Sequence, residues 1–245
     1  MAMPTMDFEV YLNTNVPPAE RAQALCDLFA NEDAAGIEYA VVMPSPTPQP
    51  DNQALYETAH AERRAILCCQ VNPNHGAPAL ATIRQAATEW GMRVLKIMPA
   101  IYHVRMTSPL AATLLSLARE LGLVVNIHSG SEISHPLAIG ALARRFPEVP
   151  ILMDHMGYRE WTSDAIEAAR DNPNLYLGTT IAAFEPLVIE RAIGELGPER
   201  VVYGSNWPNL YSDLAVEAIR RQHLGAEAEA LILGGNLARI LGITT

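Results

Sequence analysis

Two histidines of this sequence stand at the ends of short apolar runs. His128 ends the run Leu123–His128, His155 ends the run Ile151–His155, and a glycine lies two residues after each. Imidazoles bind divalent metals and exchange hydrogen bonds or protons with substrates. If the runs are adjacent parallel strands, about 4.8 Å apart, both rings can reach one ion or one substrate. The sequence therefore predicts a site built on this pair.

Polar residues at the ends of other runs are further candidates for the same site. Glu9 and Tyr11 are two residues apart in the first run, so their side chains share one face of a strand. Lys96 lies two residues before the end of the fourth run, where its ammonium would bind an anionic substrate or form a salt bridge with Glu9. Thr179 and Thr180 end the seventh run and are candidates to line the pocket.

The neighbours of the two histidines receive different interpretations. Asn126 lies two residues before His128, on the same face, and is a candidate to orient it or to bind substrate. Asp154 directly precedes His155, so strand alternation directs its side chain away from the site, towards the helices. We therefore expect a structural role for Asp154.

Three candidates lie beyond the strand ends. Asn206 and Trp207 follow the eighth run in the segment Gly-Ser-Asn-Trp-Pro, Asn206 as a candidate catalytic residue and Trp207 as a candidate to bind substrate. Arg105 lies in a loop after the fourth run, where its planar guanidinium would pair with a carboxylated substrate. Ordinary surface charge is the competing interpretation for Arg105.

The elements that must position these residues follow from an alternation along the chain. Eight apolar runs, rich in Val, Ile and Leu and too short for helices, alternate with longer segments of helical periodicity. Eight such units in 245 residues predict one domain over 1–245, an α/β fold of the (β/α)8 TIM-barrel type. The runs are Met6–Leu12, Tyr39–Met43, Ile66–Val71, Arg93–Met98, Leu123–His128, Ile151–His155, Leu175–Thr179 and Val201–Ser205. The expected helices are 18–33, 52–64, 77–90, 109–121, 136–146, 161–171, 185–196, 211–223 and 226–241.

Composition limits the classes of partner. The net charge is −10 and Lys/Arg-rich runs are absent, which argues against nucleic acid or an anionic membrane as a partner. The sequence shows neither a signal peptide nor an apolar stretch of about 18 residues, so we expect a cytoplasmic protein. A small-molecule substrate is the expected partner, and homo-oligomerisation stays open.

The strand ends, taken in order, resemble the amidohydrolase-related family, a branch of the amidohydrolase superfamily of TIM barrels that includes decarboxylases and lactonases of small carboxylated substrates. The resemblance covers nearly the whole chain. Its motifs are the fifth-strand segment 123–130 around His128, the sixth-strand segment 151–157 around His155, the eighth-strand segment 201–208, the closing segment 235–241, and the fourth-strand segment 95–99.

The departures from the family pattern imply a degenerate metal site. The family's first-strand His-x-His falls on Glu9 and Tyr11, its fourth-strand histidine on Met98, and its eighth-strand aspartate on Asn206. An amide cannot take a proton from water at neutral pH. If the protein hydrolyses a bond, another base must serve, and Glu9 is the candidate.

The resemblance leaves the question of a metal open. Glu9, His128 and His155 offer two imidazoles and one carboxylate, which suit Zn²⁺ with an open position and also Fe or Mn. The alternative is a metal-free pocket in which both histidines bind substrate directly, because some members of the superfamily are understood to work without metal.

The leading expectation is a hydrolase of a small lactone or ester-like bond in a carboxylated metabolite, with Glu9 activating water. The alternative is a metal-free lyase or isomerase of the same superfamily, decarboxylase-like, in which no water is activated; Asn206 favours it. A non-catalytic binding protein is the third reading, because barrels host many functions.

Overall fold

The computed structural model describes residues 3–180 and 185–243. Its parallel strands form one sheet in the order β1 to β8, each paired with the next. Backbone hydrogen bonds from Phe8 N to Tyr203 O (3.1 Å) and from Tyr11 N to Trp207 O (2.8 Å) join β8 to β1 and close the barrel. The predicted (β/α)8 TIM barrel is thus confirmed. The strands are β1 Met6–Leu12, β2 Tyr39–Pro44, β3 Ala65–Gln70, β4 Val94–Ile97, β5 Val124–Ile127, β6 Ile151–Met153, β7 Leu175–Gly178 and β8 Val201–Val202.

Helices connect the strands on the outside of the barrel. They are α1 Pro18–Ala35, α2 Asn52–Ala59, α3 Ala77–Thr88, α4 Pro99–Tyr102, α5 Pro109–Leu121, α6 Pro136–Arg145, α7 Tyr158–Asp171, α8 Pro186–Leu196, α9 Ser212–Arg220, α10 Ala226–Ala230 and α11 Asn236–Leu241. The helix expected over 226–241 is divided, because a π-helical segment at Leu231–Gly235 separates α10 from α11. None of the helices in the described ranges is long and apolar enough to span a membrane.

The barrel interior is filled just below the site by one aromatic ring. Phe8 is fully buried and belongs to the inner core cluster. Its ring lies against Gly178 and Gly204, where an added Cβ would come within 2.3 Å and 2.5 Å of ring atoms. Two residues without side chains at the ends of β7 and β8 therefore make room for the ring. Phe8 forms a solid floor under the polar residues above it.

A bulge in β1 brings two consecutive residues into the barrel. The pairing of β1 with β2 shifts register between Asp7 and Val10. As a result both Phe8 and Glu9 point inwards, although strand alternation would send them to opposite faces. The carboxylate of Asp7 accepts a hydrogen bond from the Glu9 backbone N at 2.8 Å, which satisfies a donor freed by the bulge.

Candidate active site

A cavity of about 460 Å³ opens at the C-terminal ends of the strands. It contains all four residues to which the sequence assigned catalytic roles, together with Tyr11. The residues lining it are Glu9, Tyr11, Ser45, Pro46, Met98, His128, His155, Tyr158, Asn206, Pro208 and Asn209. The strand ends therefore meet around one pocket, as the barrel architecture requires. The roles of these residues remain predictions.

The two imidazoles lie edge to face, with ring centroids 4.8 Å apart. Nδ1 of His155 is 2.7 Å from the Thr180 hydroxyl, which also accepts a hydrogen bond from the His155 backbone N at 2.9 Å. Thr180, at the end of β7, therefore fixes the ring of His155. Burial lowers the pKa of His155 to about 3 and also lowers the pKa of His128. Both rings are neutral at physiological pH, the form that binds metals.

The position of Asp154 contradicts the prediction from strand alternation that its side chain points towards the helices. Strand β6 ends at Met153, and the backbone of His155 and Met156 has φ of 56° and 49°, so strand alternation no longer applies. Asp154 is fully buried inside the barrel, where it accepts hydrogen bonds from the Ser129 backbone N (2.8 Å) and the Lys96 ammonium (2.5 Å). Its carboxylate is therefore part of the site.

Lys96 links the carboxylates beneath the cavity. Its Nζ lies 2.8 Å from Oε2 of Glu9 and 2.5 Å from Oδ2 of Asp154. Of the two sequence interpretations, the structure shows the salt bridge, extended to a second carboxylate. Burial alone would lower the pKa of Lys96, but Asp154 and Glu9 raise it above its usual value. Burial opposes ionisation of Asp154, yet His155, which is charged only at acidic pH, and the Lys96 ammonium, which is charged throughout, hold the pKa of this carboxyl below its usual range.

Asn126 and Tyr11 complete the hydrogen bonding of Glu9. Nδ2 of Asn126 donates to Oε2 of Glu9 at 2.8 Å, and the Tyr11 hydroxyl donates to Oε1 at 2.8 Å. The side-chain oxygen of Asn126 accepts a bond from Lys96 at 3.1 Å. Asn126 therefore orients Glu9 and Lys96, whereas the sequence analysis had it orient His128 or contact substrate. Burial raises the pKa of Glu9, against the opposing charge of Lys96.

The described residues include one cluster that could hold a metal ion. Ligand atoms of His128, Asp154 and His155 all lie within 4.8 Å of one another. Nδ1 of His128 is buried and has no hydrogen-bond partner among the described residues, as expected of a nitrogen that awaits a ligand. Two neutral imidazoles and an ionised carboxylate suit a divalent ion such as Zn²⁺ or Mn²⁺. Asp154 thus takes the place in the cluster that the sequence analysis gave to Glu9.

Three other predicted residues have different positions. Asn206 lines the cavity, and its backbone N donates to the Glu9 carbonyl at 3.0 Å. Trp207 and Arg105 are not among the described residues that line the cavity. The ring of Trp207 lies 5.6 Å from that of Tyr211 and packs on the core, and Arg105 is exposed in its loop. The geometry therefore does not support substrate contacts for these two.

Tyr158 is a residue of the site that the sequence analysis missed. Its ring centroid lies 4.6 Å from that of His155, and it lines the cavity. A Cβ on Gly130 would lie 1.9 Å from Cδ2 of Tyr158, so only glycine there admits the ring. The glycine two residues after His128 was the available signal. Burial raises the pKa of Tyr158 to about 12, which keeps the phenol protonated.

Solved structures show how widely this architecture is shared. An uncharacterised TIM-barrel protein from Bordetella bronchiseptica superposes with a TM-score of 0.82 at 18% identity, covering 98% of this chain and 99% of that one. 5-Carboxyvanillate decarboxylase LigW from Sphingomonas paucimobilis gives 0.74 at 18% identity, covering 99% and 100%. Dihydroxybenzoic acid decarboxylase from Polaromonas sp. JS666, with bound manganese and the inhibitor 2-nitroresorcinol, gives 0.71 at 14% identity, covering 98% and 97%. At these identities the likeness shows the fold.

The sequence itself decides the family. A search among curated proteins finds no match to the chain. The family model described as "Amidohydrolase" matches residues 17–243, nearly the whole barrel. That range includes both histidines, Asp154 and Asn206. The chain therefore belongs to this amidohydrolase family, as the order of its strand-end motifs indicated.

Proposed function

We propose that this protein is a non-oxidative decarboxylase of a small aromatic carboxylic acid. This is the decarboxylase-like alternative that the sequence suggested rather than the leading expectation of a hydrolase, but with a divalent metal in place of a metal-free site. The observation that carries the proposal is the state of the carboxylates. Glu9 is the one carboxylate among the described residues lining the cavity, and three donors occupy its two oxygens. A free carboxylate that could activate water for hydrolysis is thus missing from the described lining, because Asn206 is an amide. The two histidines in the lining are weak bases, because burial lowers the pKa of both.

Decarboxylation makes different demands. The bond between the ring carbon and the carboxyl carbon breaks, CO2 leaves, and a proton is added to the ring carbon; water is not consumed. The two solved decarboxylases described above act on carboxyvanillate and dihydroxybenzoic acid, and one holds manganese. Their fold and aromatic acid substrates support the same class of reaction here.

The cavity suits a planar acid of that size. A volume of about 460 Å³ lies within the usual range of small-molecule sites. Apolar and aromatic side chains of Pro46, Met98 and Tyr158 line it and would flank a substituted benzene ring. His128 and His155 line the cavity on the side where the substrate's oxygens would bind, directly or through an ion, and Thr180 orients His155.

The residues that would hold a divalent ion are His128, Asp154 and His155. Such an ion, when bound, supplies Lewis-acid polarisation of a substrate oxygen. Lys96 keeps Asp154 ionised in the barrel interior, and Thr180 keeps His155 in place.

The test is CO2 release. Protein loaded with Mn²⁺ is incubated with 2,6-dihydroxybenzoate and with 5-carboxyvanillate, the two acids named for related folds, each labelled with carbon-13 in the carboxyl group beside the hydroxyl. Labelled CO2 is measured by mass spectrometry. Lactones and esters are assayed in parallel for acid release in a pH-stat. Decarboxylation without hydrolysis supports the proposal, and hydrolysis without CO2 release overturns it.

Two variants tie the activity to the site. His128→Ala and His155→Ala should each lower turnover by at least about 100-fold, whereas His75→Ala, in an exposed position far from these residues in sequence, should leave it unchanged. Full activity in both site variants would refute the site assignment. Tight binding of the aromatic acids without turnover of any compound would favour a binding protein.

A further inference from the structure

The proton that decarboxylation adds to carbon must come from a group at the cavity. Tyr11 and Glu9 both line it, and the Tyr11 hydroxyl lies 2.8 Å from Oε1 of Glu9. Glu9 is completely buried whereas 8% of Tyr11 is exposed, so Tyr11 is the more accessible member of the pair. We propose that Tyr11 is the catalytic acid of the reaction and that Glu9 returns its proton, an inference that rests on the decarboxylase function proposed above.

Other groups near the cavity fit this role less well. The amide of Asn206 holds no acidic proton. His128 and His155 are neutral, because burial lowers the pKa of both. Tyr158 also presents a phenol to the cavity, but in the described part of the chain its hydroxyl has no hydrogen bond to a carboxyl group. Tyr11 is thus the phenol whose hydroxyl is hydrogen-bonded to a carboxyl group that can return its proton.

The hydrogen bonds of Glu9 suit a proton store. Oε2 accepts bonds from Lys96 and from Asn126, each at 2.8 Å, which leaves Oε1 as the oxygen that meets Tyr11. In the protonated carboxyl group the proton lies on Oε1, and the carbonyl oxygen Oε2 keeps both donors. The protonated Oε1 of Glu9 then donates the hydrogen bond, and the Tyr11 oxygen accepts it.

The transfer proceeds as a relay. The hydroxyl proton of Tyr11 forms the new C–H bond with a pair of ring π electrons, while the Oε1 proton of Glu9 moves to the Tyr11 oxygen. The C–C bond to the carboxylate then breaks, its electron pair restores the aromatic ring, and CO2 leaves. Tyr11 ends as it began, and Glu9 ends as a carboxylate paired with Lys96. Solvent returns a proton to Glu9 after product release.

The relay also explains why the phenol does not act alone. Burial, together with the charges of Glu9 and Asp154, raises the pKa of Tyr11 well above its usual value. A phenolate left in this position would be costly, so proton delivery from Glu9 must accompany proton loss from Tyr11. The ammonium of Lys96, 6.0 Å from the centre of the Tyr11 ring, carries the compensating charge.

The test uses Tyr11→Phe, which keeps the ring and removes the hydroxyl, with Tyr56→Phe as the matched control. Tyr56 belongs to α2 and stacks on Trp90, away from the residues that line the cavity. We expect Tyr11→Phe to lower kcat for CO2 release by at least about 100-fold. Its dissociation constants for substrate and for Mn²⁺, measured by calorimetry, should stay within a few-fold of wild type, and Tyr56→Phe should match wild type throughout.

A second measurement examines Glu9. In mixtures of H2O and D2O, kcat of the wild type should depend on the deuterium fraction along a curve, because two protons move together. In Glu9→Gln the dependence should be linear, because one proton moves, and Mn²⁺ binding should persist. This comparison tests the transfer of a proton from Glu9 even if Tyr11→Phe does not fold.

The outcomes separate this inference from the proposed function. An active wild type with a fully active Tyr11→Phe overturns the role of Tyr11 alone. Loss of Mn²⁺ binding in Glu9→Gln, with a linear dependence already in the wild type, identifies Glu9 as a metal ligand and overturns the relay. A wild type that releases no CO2 from any aromatic acid overturns both proposals.

Discussion

The two faces of strand β1 bury carboxyl groups in opposite electrostatic settings. On the inner face, the ammonium of Lys96 lies 2.8 Å from Glu9 and 2.5 Å from Asp154. On the outer face, Asp7 and Glu32 of α1 are equally buried, but their hydrogen bonds come from backbone amides and neutral side chains. A carboxyl pair with a shared ammonium therefore lies on one side of β1, and a pair without a salt bridge to any described residue lies on the other.

The outer pair shows what burial does without an adjacent cation. Asp7 accepts hydrogen bonds from the backbone N of Glu9 (2.8 Å) and of Ser205 (2.9 Å), and Glu32 accepts one from the Ser212 hydroxyl (2.6 Å). Oε2 of Glu32 has no partner in the described ranges. Burial raises the pKa of Glu32 to about 7 and that of Asp7 well above its usual value. Neutral hydrogen-bond donors, with the charge of Arg64 acting on Glu32, leave both groups with raised pKa values, whereas the adjacent Lys96 helps to hold Asp154 ionised.

The largest expected effect comes from removing the inner cation. Lys96→Met leaves Glu9 and Asp154 buried without their shared ammonium, and we expect the free energy of unfolding at pH 8 to fall by about 3–5 kcal/mol. Urea denaturation followed by circular dichroism measures it. Arg84→Met, which breaks the exposed ion pair with Glu120, is the control and should hardly move the midpoint. Equal losses in the two variants would show that the inner pair needs no cation.

A somewhat smaller effect should appear on the outer face as a dependence on pH. The pKa of Glu32 is raised from 4.5 to about 7 by folding, so its contribution to stability is complete below about pH 4.5 and is lost as pH rises through 7. Glu32→Gln removes this loss. We expect the variant and the wild type to be similarly stable at pH 4, and the variant to be more stable at pH 9 by up to about 3 kcal/mol.

Denaturation series at several pH values check this prediction, with Glu57→Gln as an exposed control that should leave the pH profile unchanged. If the difference between Glu32→Gln and wild type is the same at pH 4 and pH 9, folding does not raise the pKa of Glu32 and the outer face resembles the inner one.

The fold and part of the site could be predicted from the sequence. The barrel was predictable because eight apolar runs alternate with helical segments, a pattern set by burial on both strand faces. His128 and His155 were predictable as a pair because parallel strands bring their C-terminal ends together. Both inferences depend only on regular backbone.

The errors occur where the backbone is irregular. Strand alternation failed at Asp154, because the chain turns with φ of 56° at His155 and brings both residues inwards. Phe8 and Glu9 both face inwards because of a bulge in β1, which the hydrophobic pattern of the sequence does not predict. The ring of Tyr158 enters the site over Gly130, which lies 28 residues earlier in the chain and leaves room for it. Contacts of this kind depend on tertiary geometry, which local patterns do not encode.

The smallest effect we expect concerns the hydroxyl that supports Glu32. Ser212→Ala removes a donor 2.6 Å from Oε1, and the loss is greater when the carboxyl is charged. We expect a destabilisation of about 1 kcal/mol at pH 6 and about 2 kcal/mol at pH 9, measured by the same denaturation series. Ser163→Ala, an exposed serine on α7, should change stability by less than about 0.5 kcal/mol at either pH. A Ser212→Ala effect that does not grow with pH would mean that the hydroxyl serves packing, and that the outer carboxyl pair titrates independently of its hydrogen bonds.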